Sequence, residues 1–256
     1  MIPGSRLSGE SRENLDQIAP MSVRAWLRYD IIQRMMPAGV RSVLEIGCGR
    51  GALGVRLARH YAYLGIEPDE ASRAVARKRV SALGAGEVRG SLEGLSRQQF
   101  DLVCAFEVLE HIEDDAAALR DWVSWARPSG WLMLSIPADQ HRYGPMDQLV
   151  GHFRRYGPAE LTELLASCGL NDIVVRRYNF PLGQLIEAGH NLVDGHWLAG
   201  APDSAAERTA ASGRLFQPGG GLLGSVNRWG TAPFRQLQRL FPGKGTGLVA
   251  VARVSG

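Results

Sequence analysis

The segment FEVLEHIEDD (residues 106–115) places two carboxylates and an imidazole within five positions, at Glu107, Glu110 and His111. It continues the apolar run FDLVCAF, whose nearly unbroken hydrophobicity is typical of a strand covered on both faces. Ionisable groups are costly to bury unless they are paired or have a chemical task. At the end of a buried strand, these side chains have the chemistry to transfer a proton or to hold a metal ion.

A glycine-rich segment lies upstream, in EIGCGRGA, with glycines at positions 47, 49 and 51. The segment satisfies the loose dinucleotide pattern G-x-G-x-x-A, and Glu67 follows Gly47 by 20 residues, where a ribose-binding carboxylate is expected. This spacing leaves a nicotinamide-dependent dehydrogenase open. Glu45, however, stands where a dinucleotide fold normally has an apolar residue. A carboxylate there suits a ligand with a positive amino group, so the segment favours an S-adenosylmethionine (SAM) pocket.

Strand-like and helical segments alternate between residues 41 and 136, which predicts a parallel sheet flanked by helices. The predicted strands are RSVLEIG, YAYLGIE, GEVRG, QFDLVCAFE and WLMLSIP, followed later by NDIVVRRYNF and GLVAVARV. The predicted helices are MSVRAWLRYDIIQRMM, ALGVRLARH, DEASRAVARKRVSAL, EDDAAALRDWVSWAR and PAELTELLASCG. The glycines and the carboxylates then lie where predicted strands end.

Four segments, VLEIGCGRG, GIEPDE, FDLVCAFEVLEHI and ARPSGWLMLSIP, resemble in this order the motifs of class I SAM-dependent methyltransferases. The resemblance covers about residues 27–170 and the final strand. It implies an α/β fold with a doubly wound, seven-stranded Rossmann-like sheet whose last strand is antiparallel. It also implies a cofactor site formed by Glu45, Gly47, Cys48, Gly49, Glu67 and Pro68, with Ser91 and Leu92 beside the adenine and Phe106 and Glu107 at the methionine end.

Two histidines are the predicted catalytic residues. An acceptor hydroxyl, phenol or acidic carbon must lose a proton, and His111 is the first candidate for the base. The second is His152, in DQLVGHFRRYGPAEL, which resembles the GHxRRY loop of a bacterial subgroup of the family. A loop that crosses the top of the sheet is expected to bring the two histidines together. Its arginines, Arg154 and Arg155, are predicted to pair with Glu107 or Glu110.

The same side chains also form a candidate metal site. Glu107, Glu110, His111 and His152 would offer oxygen and nitrogen ligands that suit Mg²⁺, Mn²⁺, Fe²⁺ or Zn²⁺. This set resembles the divalent-metal site of plant small-RNA 2′-O-methyltransferases, and some ubiquinone-pathway O-methyltransferases share the EVLEH run. Many relatives with EVLEH are expected to use no metal, so the metal is a hypothesis. A metal-assisted RNA 2′-O-methyltransferase is the alternative function, and a non-catalytic SAM-binding module is another.

The acceptor is predicted to be a small, hydrophobic or lipid-like molecule, methylated on oxygen or carbon. The net charge of +3 is mild and well mixed, so no DNA partner is expected.

Four regions are predicted: a helical N-terminal segment (1–40) whose Trp26, Arg28 and Tyr29 close the pocket, the SAM-binding core (41–180), a helical lid (181–246) and the final strand (247–256). The lid is rich in large apolar groups, and residues 231–244 combine them with basic residues. That combination allows peripheral contact with an anionic membrane surface, as well as ordinary core packing.

A cytoplasmic location is expected, because the first twenty residues lack a secretory signal and no apolar run approaches 18 residues. Three dispersed cysteines do not form a disulfide framework.

Overall fold

Residues 19–84, 86–185 and 227–255 are described by a computed structural model of the chain. These ranges include the predicted SAM-binding core, apart from residue 85, and both ends of the predicted lid. The greater part of the lid and the first half of the N-terminal segment lie outside the described residues.

Seven strands form one sheet. They are β1 (Ser42–Ile46), β2 (Ala62–Ile66), β3 (Glu87–Arg89), β4 (Phe100–Phe106), β5 (Ala126–Pro137), β6 (Leu170–Tyr178) and β7 (Gly247–Val254). Their spatial order is β3-β2-β1-β4-β5-β7-β6. The first five pair in parallel, and β7 lies between β5 and β6, antiparallel to both. The predicted doubly wound sheet with an antiparallel last strand is confirmed.

Three of the helices in the described residues begin at a side chain that caps them. The helices are α1 (Val23–Met35), α2 (Gly54–Ala58), α3 (Glu70–Ser81), α4 (Asp115–Val123), α5 (Pro145–Val150), α6 (Pro158–Ser167) and α7 (Ala232–Leu240). Ser22, Asp69 and Asp114 each accept a hydrogen bond from a backbone N–H of the following first turn, at the starts of α1, α3 and α4. One-turn 3-10 helices span Leu109–His111 and Gln140–Arg142.

A hydrophobic layer covers each face of the sheet. On one face, α4 and α6 contribute Leu119, Trp122 and Leu161. On the other, α1 and α3 contribute residues such as Leu27 and Val80. All seven residues of β4 are buried, which explains why its sequence is apolar at every position except Asp101 rather than alternating.

All five predicted helices are longer than those observed, and two of them differ most. The helix predicted over EDDAAALRDWVSWAR ends at Val123, and β5 already begins at Ala126. Pro128 disfavours a helical conformation at Arg127, and Ala126 pairs with Phe100 of β4 instead. Similarly, the helix predicted over ALGVRLARH shortens to α2, because its first two residues still belong to the glycine loop.

The helix α7 packs on the core through partly buried Phe234 and also through buried polar contacts. Its buried residue is Gln238, whose side chain accepts from the N–H of Asn179 at 3.1 Å and donates to the carbonyl of Leu27 at 3.0 Å. Leu240, by contrast, is 74% exposed. These contacts fix the rotation of α7 against α1. Among the described residues, no helix has the length and apolar character needed to cross a membrane.

Candidate active site

The glycine loop between β1 and α2 needs its glycines for two different reasons. Gly47, Gly49 and Gly51 all have positive φ, at 68°, 55° and 73°. A Cβ on Gly47 would lie 2.6 Å from Cγ2 of Val108, so the loop there packs directly on the segment after β4. A Cβ on Gly49 would meet nothing within 4 Å. The backbone of Gly49 therefore borders open space, as a bound cofactor requires.

Glu67 connects this loop to the end of β2. One carboxylate oxygen accepts from the N–H of Gly49 at 2.8 Å, and the other accepts from the N–H of Asp69 at 2.9 Å. Burial raises the pKa of Glu67 above its usual value, although those two hydrogen bonds act to lower it. The neighbouring Pro68 is exposed. The Glu67 carboxylate was predicted to accept hydrogen bonds from the ribose of the cofactor. In the structure it accepts hydrogen bonds from two backbone N–H groups, and through Gly49 it orders the glycine loop.

The other predicted cofactor residues also follow strand ends. Ser91 and Leu92 follow β3 after one intervening glycine, and Phe106 ends β4. The four strands β1 to β4 run in parallel, so these positions share the carboxyl edge of the sheet with the glycine loop and its Cys48. That edge is where ligands bind in open α/β sheets.

Glu45 has a buried partner that the sequence did not reveal. Its carboxylate accepts a hydrogen bond of 2.6 Å from the hydroxyl of Tyr63, and only 3% of the residue is exposed. Burial raises the pKa of Glu45 to about 7, although the Tyr63 hydrogen bond opposes this shift. A Cβ on Gly54 would lie 3.2 Å from its Oε2. The carboxylate therefore lies against Tyr63 and the start of α2, and its contact with a cofactor remains a prediction.

Glu107 is held by groups from three other elements. Its Oε1 accepts from Ser135 Oγ of β5 at 2.9 Å and from the Tyr178 hydroxyl of β6 at 3.1 Å. Nη1 of Arg28, on α1, lies 3.3 Å away. Burial alone would raise the pKa of Glu107, but the Arg28 charge and these hydrogen bonds outweigh it and hold the pKa below its usual value. Ser135 is the polar residue inside the apolar segment WLMLSIP, and this exception to the pattern could have indicated its contact with Glu107.

Glu110, His111 and His152 come together beside it. Each offers a ligand atom, and these atoms all lie within 4.8 Å of one another. The two imidazole rings are 4.7 Å apart, centroid to centroid. Glu110 is fully buried, and neither of its carboxylate oxygens has a hydrogen-bond partner among the described residues. Burial, and then the charge of Glu107, raise the pKa of Glu110 well above its usual value.

The structure brings together three of the four predicted metal ligands, since Glu107 is occupied by Arg28 and its hydrogen-bond donors. His111 was predicted to be the base. Burial, followed by the neighbouring His152, lowers the pKa of His111 to about 4. An imidazole with so low a pKa is neutral near pH 7, which suits a metal ligand, but it is a weak proton acceptor.

The predicted pairing of the two loop arginines with Glu107 or Glu110 is wrong. Arg154 pairs instead with Asp115 at 2.9 Å and donates to the carbonyl of Glu113 at 2.6 Å. Arg155 pairs with Asp147 at 2.8 Å. Glu107 pairs with Arg28 of α1, a segment that is distant in sequence. The spacing of residues along the loop could not predict this partner.

The strand order, the glycine loop and the acidic end of β2 define a Rossmann-like nucleotide-binding fold. Residues 17–175 match the family model described as a methyltransferase domain, which is more than half of the 256-residue chain. The protein belongs to the class I SAM-dependent methyltransferase family. SAM is the cofactor of that family.

Two relatives show how far the similarity extends. The chain is 37% identical over 141 residues to a ubiquinone biosynthesis O-methyltransferase of Albidiferax ferrireducens, covering 50% of this chain and 51% of the relative. It is 30% identical over 192 residues to a Mycobacterium tuberculosis protein named "Probable S-adenosylmethionine-dependent methyltransferase", covering 69% of each. The chain spans about half the length of the ubiquinone-pathway relatives it matches first.

Solved structures share the fold at low sequence identity. A SAM-dependent methyltransferase of Thermotoga maritima matches with a TM-score of 0.55 and 18% identity, covering 95% of both chains. A phosphoethanolamine N-methyltransferase 2 of Haemonchus contortus, solved with S-adenosylhomocysteine, matches with a TM-score of 0.57 and 14% identity, covering 90% of this chain and 53% of the other. These likenesses establish the architecture alone.

The glycine loop offers a matched pair of substitutions. Gly47→Ala should lower the free energy of unfolding by about 2–5 kcal/mol, because it adds a clash with Val108 to the strain of a positive φ. Gly49→Ala should cost only about 1–2 kcal/mol for its φ. It should weaken SAM binding about tenfold or more, since its methyl enters the space beside the loop. Denaturant unfolding and calorimetric titration measure both quantities, and unchanged SAM affinity in Gly49→Ala would contradict this placement of the cofactor.

Glu45 should make the stability of the fold depend on pH. Its pKa rises from 4.5 to about 7 on folding, so the folded state favours the neutral acid. The stability that this gives is fully present below pH 4.5 and is lost as the pH rises through 7. Glu45→Gln should therefore gain stability relative to wild type, by about 3 kcal/mol between pH 4.5 and pH 7.5. Urea unfolding at several pH values tests this, and a constant difference between the two proteins would refute it.

Proposed function

We propose that the protein transfers the methyl group of SAM to an oxygen of a small, apolar acceptor. The observation that carries this proposal is the cluster of buried Glu110 with partly buried His111 and His152, beside the end of β4. The family resemblance supports a position for the methionine end of the cofactor beside that strand end. The relatives named ubiquinone biosynthesis O-methyltransferases support oxygen as the acceptor atom.

The chain's contribution to methyl transfer is mainly positional. The sulfonium donor is already activated, so an in-line displacement needs the acceptor oxygen held close to the methyl carbon and away from water. The N-terminal helix α1 helps to close the site, because Arg28 reaches Glu107 from it. With Arg28, Ser135 and Tyr178 all directed at one carboxylate oxygen, Glu107 stays ionised and fixed next to the cluster.

The cluster fits a divalent cation. A fully buried carboxylate without a hydrogen-bond partner is an expensive arrangement, and a cation between it and two imidazoles would relieve that cost. One oxygen and two nitrogen ligands suit Zn²⁺, Mn²⁺ or Fe²⁺ better than Mg²⁺, which prefers oxygen ligands. When bound, such an ion would supply Lewis-acid polarisation of the acceptor hydroxyl. Glu110, His111 and His152 would hold it.

The proposal of an apolar acceptor is supported by exposed residues at the end of α7. Leu240 and Phe241 are exposed at the end of α7, and the ammonium of Lys244 lies 5.5 Å from the Phe241 ring centre. An apolar tip beside a basic group supports peripheral contact of residues 231–244 with an anionic, lipid-containing surface. The alternative RNA acceptor gains less support, since Arg28, Arg154 and Arg155 all pair with carboxylates within the fold.

The proposed reaction is tested with radiolabelled SAM and extract of the native host, separated into organic-soluble, aqueous and nucleic-acid fractions. Label in the organic fraction is expected, and it would give mass spectrometry a product to identify. Label confined to nucleic acid would overturn the small-molecule proposal in favour of RNA. If SAM binds and no fraction gains label, either the extract lacks the acceptor or the protein is a binding module without this activity.

The metal site is tested by Glu110→Gln. In the metal-free protein this substitution should raise stability by about 1–3 kcal/mol, because a neutral amide is cheaper to bury than an unpaired carboxylate. For a chain of this size, the melting temperature should rise about 2–4 °C per kcal/mol. Added Zn²⁺ or Mn²⁺ should raise the melting temperature of wild type and leave that of Glu110→Gln unchanged.

The exposed Glu113, in the same segment, provides the matched control. Glu113→Gln should behave like wild type both with and without metal. A lower melting temperature for metal-free Glu110→Gln, or an equal response of both proteins to metal, would rule out the site. Differential scanning calorimetry in chelator and in added metal measures all of these quantities.

A further inference from the structure

The buried side chain of Asp147 gathers three donors on the far side of the histidine cluster. It lies in α5 and is only 1% exposed. Its Oδ1 is 2.7 Å from Nδ1 of His152 and accepts from Nε of Arg155 at 2.8 Å. Its Oδ2 accepts from the N–H of Gly144 at 2.9 Å. The carboxylate is therefore fixed independently of its contact with the histidine.

His152 is in turn fixed by its backbone. Its N–H donates to the carbonyl of Asp147 at 2.8 Å, and its own carbonyl accepts from the Tyr143 hydroxyl at 2.7 Å. The ring has Nδ1 on Asp147, and its Nε2 lies 3.9 Å from Oε1 of Glu110. The two nitrogens of one imidazole thus connect a well-paired carboxylate to an unpaired one.

This contact determines which nitrogen of a neutral His152 carries the proton. An ionised carboxylate can only accept hydrogen bonds, so the short contact with Asp147 requires a proton on Nδ1. In the neutral ring, the lone pair is then on Nε2, on the side of Glu110. Histidines that bind metals commonly donate their other ring N–H to a carboxylate or a carbonyl, which sets their orientation and tautomer.

We propose that Asp147 is a positioning residue, which holds His152 with its Nε2 lone pair facing Glu110. The inference rests on the proposed function, because a divalent cation is what that lone pair would bind. His111 has a weaker counterpart, the carbonyl of Gly151 at 3.3 Å from its Nδ1. The charged and shorter contact makes His152 the better oriented of the two nitrogen ligands.

Arg155 allows a matched comparison of variants. Asp147→Ala and Arg155→Ala both break the same buried ion pair, so both should lower the stability of the loop. Only Asp147→Ala also removes the acceptor for the His152 ring. A merely structural role for Asp147 predicts that the two variants behave alike, whereas a positioning role predicts that they differ at His152.

The experiment is ¹⁵N NMR of the histidine rings in chelator-treated protein at about pH 8, where imidazoles are mostly neutral. Wild type and Arg155→Ala should show His152 with the proton on Nδ1, and Asp147→Ala should show a shift towards the Nε2–H tautomer. Titration of Zn²⁺ into the same proteins should show an affinity about 10–100-fold lower for Asp147→Ala and unchanged for Arg155→Ala.

The proposal fails if metal-free wild type shows the Nε2–H tautomer, a result that needs no folded variant. It also fails if Asp147→Ala retains both the wild-type tautomer and the wild-type Zn²⁺ affinity. If wild type binds no Zn²⁺, Mn²⁺ or Fe²⁺, the proposed metal site falls, but the tautomer difference between wild type and Asp147→Ala still decides the role of Asp147.

Discussion

The carboxylate of Glu110 is the group on which the arrangement of the site depends. It is fully buried and has no hydrogen-bond partner among the described residues, so it opposes folding in the absence of a ligand. The loop that covers it is held by contacts that do not involve this carboxylate. Phe153 donates its N–H to the backbone carbonyl of Glu110 at 2.7 Å, and both Arg154 and Tyr156 bond to Asp115 at 2.9 Å. The loop therefore encloses Glu110 without neutralising it.

Two glutamates three residues apart acquire opposite properties from their surroundings. The backbone of Glu107 has a φ of 57°, and this turn lets the chain leave β4 and enter the 3-10 helix that carries Glu110. Glu107 meets Arg28 and two hydroxyls, which lower its pKa, whereas burial and the charge of Glu107 raise that of Glu110. Pairs of titratable groups whose environments push their pKa values apart are typical of catalytic sites.

The sequence predicted those features that depend on local patterns. Continuous or alternating hydrophobicity located the strands, and the glycines marked the loop after β1, because both signals lie within a few residues. The partners of the site residues were harder to predict, since each comes from a distant segment. Tyr178 reaches Glu107 only because β7 inserts between β5 and β6 and fixes where β6 ends. Arg154 and Arg155 were assigned to the wrong carboxylates, because opposite charge and general proximity do not distinguish Glu110 from Asp115 or Asp147.

The N-terminal helix connects the site to the part of the chain that follows the predicted lid. Arg28 approaches Glu107 from one side of α1, and Asp30, two residues later, pairs with Arg239 of α7. Gln238 of α7 bonds to the carbonyl of Leu27, one residue before Arg28. A guanidinium that must counter the charge of Glu107 needs a fixed backbone, since a few tenths of an ångström alter its hydrogen bonding. The hydrogen bonds and the ion pair between α1 and α7 supply that support, which is a physical reason for α7 to bury the polar Gln238.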